Sequence, residues 1–350
     1  MLPRAVLIPA LVRNFAARSR AATGARRLIT TMTTPGTAAD EHKFKELRGG
    51  RIAKGIFDKC RVDAAALADA GWAPRLLSVS IGDEDASGMY IRNQKRIANK
   101  LGIEFEELDL PSTSSRGEVL ATLAARNADP TVTGIIIQRP VPAHFDVKEV
   151  QQAVHPMKDV EGMHPASLGQ VVYNEADLAP CTAKAAVELL RATGLSLPGL
   201  QCVVVGHSEI VGKPISFLLL SEGCTVTICN HMTHNLAQHT RQADALFVAV
   251  GKAGLVSADM VKPGAAVIDV GINQSAEGGV VGDVDFESVL PVAGWLTPVP
   301  GGVGTVTTAM LMANTIVAAQ RQQRHYEAAF GPEHVQTNAA MSTSHAVGRA

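Results

Sequence analysis

The chain has 350 residues, 46% of them hydrophobic, which is longer than one hydrophobic core spans, so two domains are expected. A formal net charge of −1 leaves no electrostatic footprint for nucleic acid or an acidic membrane surface, and three Tyr, two Trp and nine Phe are too few for base-stacking platforms. These exclusions leave a protein that handles small molecules.

The first 39 residues stand apart. They carry Arg4, Arg13, Arg18, Arg20, Arg26 and Arg27, several Ser and Thr, and no acidic residue before Asp40. This composition fits a mitochondrial transit peptide, and the arginines interrupt the apolar stretch that a secretory signal requires. A disordered basic extension, a misassigned start codon and a plastid address share the same composition.

Farther on, RLLSVSIGDEDASGMY reads as a strand from Leu76 to Ile81, a Gly-Asp turn and a helix start with Ser87 as N-cap. The helix MYIRNQKRIANKLG puts Tyr90, Gln94, Ile97, Ala98 and Leu101 on one face, because steps of three and four residues stack side chains. Gln94, a neutral amide in that stripe, is either half of a satisfied buried pair or the floor of a site. After Gly102 closes the helix, GIEFEELDL supplies a strand, RGEVLATLAARNAD a helix, and VTGIIIQRPVP a buried strand ending in a Pro-punctuated loop. Strands alternating with helices predict an α/β domain with a mostly parallel sheet covered on both faces.

A second α/β series follows APCTAKAAVELLRATG. Four short strands rich in Val and Ile, with Gly at their carboxyl ends, lie in QCVVVGHSEIVGKPISFLLLSEG, CTVTICN, ADALFVAVG and GAAVIDVGI. That is the pattern of a doubly wound, Rossmann-type dinucleotide-binding sheet. The helix VTTAMLMANTIVAAQ, from Val306, is expected to fold back onto the first domain. Gln323 to Ala350 mixes His, Ala, Ser and Thr without period and reads as a mobile tail. The expected division is a leader over 1–39, a first domain over 40–182 plus 305–322, a dinucleotide domain over 183–304 and a tail over 323–350.

Five scattered cysteines (Cys60, Cys181, Cys202, Cys224, Cys229) without a C-x-x-C pair argue against a disulfide framework and a structural zinc site, and fit a reducing compartment. No uninterrupted apolar run reaches the roughly 18 residues of a membrane-spanning helix. In VVVGHSEIVGKP the strand ends at Gly206 and Gly212 opens a helix, with Ser208 and backbone N–H groups between them for a pyrophosphate. The spacing is not G-x-G-x-x-G, and an ordinary tight strand-to-helix turn shares it. The end of the next strand is where a carboxylate would hold the ribose of NAD or an arginine the 2′-phosphate of NADP. The chain reads CNHMTHNL there, with Asn230 and His231, and neither signal is present. His231 and His234 lack a convincing third ligand and read as solvated histidines rather than as a metal site.

The motifs IGDEDASGMYIRNQ, GIIIQRPVP, KDVEGMHP, PCT, VVVGHSEIVGKP, VIDVGIN, VVGDVDF and TPVPGGVG occur in this order between about Ile52 and Gln320. Together they closely resemble the folate enzymes that combine methylenetetrahydrofolate dehydrogenase with methenyltetrahydrofolate cyclohydrolase. The resemblance implies that the first domain is the folate-binding catalytic one, with a folate cleft between the domains. It also implies a nicotinamide cofactor, NADP or NAD, facing that cleft, and a homodimer. It sets Tyr90 against the folate, Gln138 on the reacting region and the acid of KDVEG, Asp159 or Glu161, on the pterin edge. Pro300, Gly301, Gly302 and Val303 would close over the substrate. Gly206, His207, Ser208, Gly212 and His231 would receive one part of the dinucleotide, and Val250, Gly251, Gly271 and Ile272 another. No metal is implied.

The chain departs from the family at several of these places. The family has its catalytic lysine where this chain has Gln94, and Asp where it has Glu161. Thr305 and Val306 replace the Pro and Met of the closing loop, His207 replaces an Arg, and His231 replaces the Ser or Arg that meets the 2′-phosphate. Removing hydride from the methylene carbon moves no proton, whereas adding water to the methenyl product requires protons to move. A glutamine cannot titrate, and Lys95 lies about 100° around the helix. The expectation is therefore a dehydrogenase with weak or lost cyclohydrolase activity. The alternatives are a fully bifunctional enzyme and a folate-binding partner whose catalysis has decayed.

Overall fold

A computed structural model describes residues 45–82, 88–275 and 278–331. The expected leader over 1–39, the N-cap Ser87 and the chain beyond Gly331 lie outside the described residues.

The first sheet is built from α1 (Gly50–Asp69), β1 (Arg75–Ile81), α2 (Gly88–Leu101), β2 (Glu104–Leu110), α3 (Arg116–Ala128) and β3 (Gly134–Ile137). Its strands are parallel in the order β2-β1-β3. Central β1 is buried at every position from Leu76 to Ile81, as a strand covered on both faces must be, while edge β2 exposes Glu104, Glu107 and Asp109. Helix α3 starts on a capping box in which Ser115 and Glu118 exchange side-chain and backbone hydrogen bonds. Helix α2 buries Ile91, Gln94, Ala98 and Leu101. The predicted face is thus corrected by one row. Ile91 and Tyr90 lie three and four residues before Gln94, and it is Ile91 that turns to the core, leaving Tyr90 and Ile97 at the stripe's margin.

Helices α4 (Val147–Gln152), α5 (Pro165–Val172) and α6 (Cys181–Ala192) lead to the second sheet. There β4 (Gln201–Val205), α7 (Gly212–Ser221), β5 (Thr225–Cys229), α8 (Leu236–Thr240), β6 (Ala245–Val248) and β7 (Ala266–Asp269) follow in turn. A short antiparallel hairpin of β8 (Asn273–Gln274) and β9 (Val280–Val281), helix α9 (Phe286–Val289) and β10 (Trp295–Leu296) complete it. The second sheet is parallel in the order β10-β7-β6-β4-β5, one strand more than predicted, because a two-residue strand leaves no pattern to read. Strand order reverses between β4 and β6, and ligands of open parallel sheets bind outside the carboxyl ends at such a switch point.

The last helix, α10 (Val303–Phe330), corrects two expectations. It starts three residues before Val306, and it runs through residues 323–330, where the sequence predicts a mobile tail. Tertiary anchors extend it. The Gln322 amide donates to the carbonyls of Thr133 (2.7 Å) and Met157 (3.1 Å), and the Tyr326 ring lies 5.5 Å from that of Trp72. The helix is long and apolar enough to cross a membrane, but Val306, Met310, Leu311, Met312 and Ile316 are buried within the protein, which makes it a core helix. Asn314, fully buried at its centre, donates to Val160 O (2.8 Å) and Ala179 O (3.0 Å) and accepts from Lys184 Nζ (2.9 Å).

Candidate active site

Three elements of the first sheet converge on a buried polar chain. Gln138, at the carboxyl end of β3, donates from Nε2 to Ser78 Oγ of β1 (3.0 Å) and to Gln94 Oε1 of α2 (2.9 Å). Gln94 is completely buried, and its own Nε2 has no hydrogen-bond partner among the described residues. An unpaired buried donor costs about 1–3 kcal/mol, so the amide pair is held in place without being fully satisfied. Burial pushes the Tyr90 phenol above its ordinary range. Lys95 points away, its Nζ 2.5 Å from Glu107 on the edge strand, as the helical register predicts.

Tyr90 is the wall shared by two cavities. The larger, of about 530 Å³, is bounded by Asn93 and Arg96 of α2, Phe57 of α1, the turn Asp269–Ile272 and the loop Pro298–Thr305. Pro300, Gly301 and Gly302 lie in the loop and Val303 opens α10 after it; the loop is pinned to the start of α1 by the Gly49 N–H donating to Gly301 O (2.9 Å). A Cβ on Gly302 would press on the Pro298 carbonyl and Thr297. The smaller cavity, of about 190 Å³, is lined by Gln138, Arg139, Glu161, Cys181 and Thr182. Burial pushes the Glu161 carboxyl up to about 7. Arg139 works against that rise, and the neighbouring charge of Asp159 adds to it. Of the two acids in KDVEG, Glu161 is therefore the one at the cavity. Asp159 is occupied elsewhere, its Oδ2 accepting from His164 N (2.8 Å) and Ser167 Oγ (2.7 Å).

At the switch point of the second sheet, Gly206 has φ 122°, and a Cβ there would strike the Ala249 carbonyl. A Cβ on Gly212 would strike the carbonyl of Gly206, so the β4–α7 turn closes only with glycine at both ends. Ser208 Oγ accepts from the Gly212 N–H at 3.4 Å. Across the edge, Gly251 (φ 66°) has open space where a Cβ would stand, beside Val250. Close backbone approach on one side and an open floor on the other fit a dinucleotide. The rings of His207 and His231, beyond β4 and β5, are 6.0 Å apart and both residues are exposed. Gly271 is packed on Asp283, whereas Ile272 is 67% exposed at the cavity.

Sequence reasoning missed Phe57, Asn93, Arg96, Arg139, Thr182, Thr308 and Asp269 as lining residues. Helical spacing carried a signal for Asn93, three residues after Tyr90, and for Arg96 one turn on. No spacing rule points to Phe57, which enters from another helix.

Comparison with known proteins follows the same division. The catalytic-domain model of the tetrahydrofolate dehydrogenase/cyclohydrolase family matches residues 47–161, and its NAD(P)-binding-domain model matches residues 180–323. The chain is 60% identical over 289 residues to Bifunctional protein FolD 2 of Mesorhizobium japonicum, covering 81% of this chain and 94% of that one. The crystal structure of the bifunctional FolD enzyme of Campylobacter jejuni is similar with a TM-score of 0.76 and 36% identity, covering 79% of this chain and 98% of that one. The Trypanosoma brucei methylenetetrahydrofolate dehydrogenase-cyclohydrolase, solved with NADP and an inhibitor, gives a TM-score of 0.75 and 33% identity over 80% of this chain and 98% of that one.

Proposed function

The chain belongs to the tetrahydrofolate dehydrogenase/cyclohydrolase family, and we propose that it oxidises 5,10-methylenetetrahydrofolate to the 5,10-methenyl form with NADP or NAD, hydrolysing the product slowly or not at all. In this reading residues 40–182 with 305–322 hold the folate and residues 183–304 the dinucleotide. The nicotinamide, when bound, supplies the hydride acceptor. Tyr90 and the loop from Pro298 to Gly304 wall the folate, and Glu161 meets its pterin edge. Gln138, its amide fixed by Ser78 and Gln94, presents an oriented dipole to the reacting region. Because hydride removal moves no proton, orientation and fixed dipoles suffice for it. Hydrolysis requires a group that takes a proton from water. The observation that carries the proposal is Gln94, a buried amide bonded to Gln138 where the family has an amine.

A full bifunctional activity is the second reading. It is favoured by relatives that are named bifunctional and by Glu161, a carboxyl that titrates near 7 in the same cavity as Gln138. Purified protein incubated with 5,10-methylenetetrahydrofolate and each oxidised dinucleotide separates the two, with reduced nicotinamide and methenyl product followed independently. The methenyl product is expected to accumulate and decay at the rate of buffer alone. Enzyme-accelerated decay that disappears in Glu161→Gln establishes the bifunctional reading. Folate binding without turnover of either dinucleotide defeats both and leaves a binding protein. With His207 and His231 in place of the family residues, NAD is expected to support measurable turnover beside NADP. We also propose mitochondrial import, on the arginine-rich acid-free leader, and a homodimer, for which light scattering is the check.

A further inference from the structure

Asp283 and Asp269 are 0% and 3% exposed, side by side in the second domain. Two carboxylates in one core are costly unless their oxygens are engaged. Here they are. Asp283 Oδ2 accepts from the backbone N–H of Val250 (2.7 Å) and Gly251 (3.0 Å), and Oδ1 accepts from Lys252 N–H (2.8 Å) and Asn273 Nδ2 (2.8 Å). Three successive N–H groups on one carboxylate fix the conformation of the loop that leaves β6. Asp269 in turn accepts from the N–H groups of Gly271 (2.9 Å), Asp283 (3.0 Å) and Val284 (3.0 Å). The glycines answer to the acids: a Cβ on Gly271 would strike the Asp283 carboxylate, and one on Gly282 the Asp269 carboxylate. The loop after β6 and the turn after β7 are thus tied together through two side chains. Asp269 and Gly271 line the large cavity, whereas Asp283 lines neither cavity, so Asp283 acts through the backbone it holds.

We propose that Asp283 is a positioning residue for the dinucleotide, holding Val250 to Lys252 and the Gly271 turn in one geometry at the carboxyl edge of the second sheet. This rests on the dehydrogenase reading. The Asp283→Asn variant of the full chain keeps the shape but turns an amide N–H toward backbone donors. Its dissociation constant for NADP and NAD, measured by calorimetry without folate, is expected to rise about tenfold or more. The KM for dinucleotide should rise in parallel while the KM for methylenetetrahydrofolate changes less than about twofold. Should that variant fail to fold, Asn273→Ala removes one of the four donors and is expected to weaken dinucleotide binding by about two- to fivefold. Unchanged dinucleotide affinity in a folded variant overturns the proposal. So does equal weakening for folate and dinucleotide, which is what general loosening of the structure produces. A wild-type chain that binds dinucleotide but never reduces it overturns the dehydrogenase reading alone, and the calorimetric comparison still decides Asp283.

Discussion

Gln94 and Glu161 are the two residues on which the proposed chemistry turns. Installing an amine by Gln94→Lys puts a titratable group one turn from Tyr90, in a site where complete burial depresses an ammonium pKa toward neutrality. Enzyme-dependent hydrolysis of methenyltetrahydrofolate should then appear, within the 10²–10⁴-fold range that a positioned acid or base typically contributes, and below its upper end because Glu161 and Thr305 shape the pocket differently from the family. Lys95→Gln is the control. Its exposed pair with Glu107 is worth about 0–1 kcal/mol, so both catalytic rates and the melting temperature should stay put. Glu161 makes a separate, thermodynamic prediction. Its folded pKa of about 7 lies above the ordinary value of 4.5, so between those pH values the folded state holds more protons than the unfolded one. Stability from this group is therefore fully present below about 4.5 and lost as pH rises through 7. Glu161→Gln, which mimics the protonated form, should melt like the wild type near pH 4.5 and above it at pH 8. The gain is at most about 3 kcal/mol, and less to the extent that the partly exposed carboxylate is screened. A gap that does not widen with pH would mean the carboxyl titrates in the ordinary range.

At the scale of elements, what could be read in advance follows from how each segment is stabilised. Strands β1, β3, β4, β6 and β7 are buried along nearly their whole length and read as apolar runs, and α3 carries its capping box in plain sequence. Tyr90, Gln94 and Gln138 were legible as members of motifs. Asp283 stands inside the motif VVGDVDF, but its role was not legible, because its partners include backbone N–H groups 31 to 33 residues away, which leave no periodic mark. The end of α10 was misread for a related reason. Its last two turns mix Arg324, His325 and Glu327 with Tyr326, Ala328, Ala329 and Phe330 in no clean apolar stripe, and Gln322 and Tyr326 tie this end of the helix to other parts of the chain. Truncation after Gln322 removes the Tyr326 ring from Trp72 and should cost about 1–3 kcal/mol relative to truncation after Gly331 in a urea titration. Equal stability of the two shortened chains would mean that residues 323–331 add nothing to the fold. Asn314→Ala probes the middle of the same helix. It strands the carbonyls of Val160 and Ala179 and the Lys184 ammonium, a loss of about 2–4 kcal/mol.

For the whole molecule, the decisive boundary lies between the arginine-rich first 39 residues and Lys45, where the described residues begin. Leu47 donates its N–H to Leu296 O at 2.8 Å, Glu46 bridges to the same residue, and Gly49 reaches the closing loop at Gly301 O. Those three contacts join the start of the described chain to the edge strand β10 and to the wall of the large cavity, so the site depends on residues from Glu46 onward. A chain beginning at Lys45 should therefore keep the melting temperature and the kcat/KM of the full chain within error. One beginning at Ile52 loses all three contacts and should melt lower, with a raised KM for the folate as the loop from Pro298 to Gly304 loosens. The removed leader, fused to a fluorescent protein, should direct it to mitochondria, and replacing its six arginines by glutamine should abolish the import, because the positive charge and the absence of acids are what an import receptor can read. Two results would defeat this division of labour. A chain beginning at Lys45 that has lost activity would place part of the site in the leader. A fusion that stays in the cytosol would reduce the leader to a basic extension, while leaving the folate chemistry of the folded part as argued.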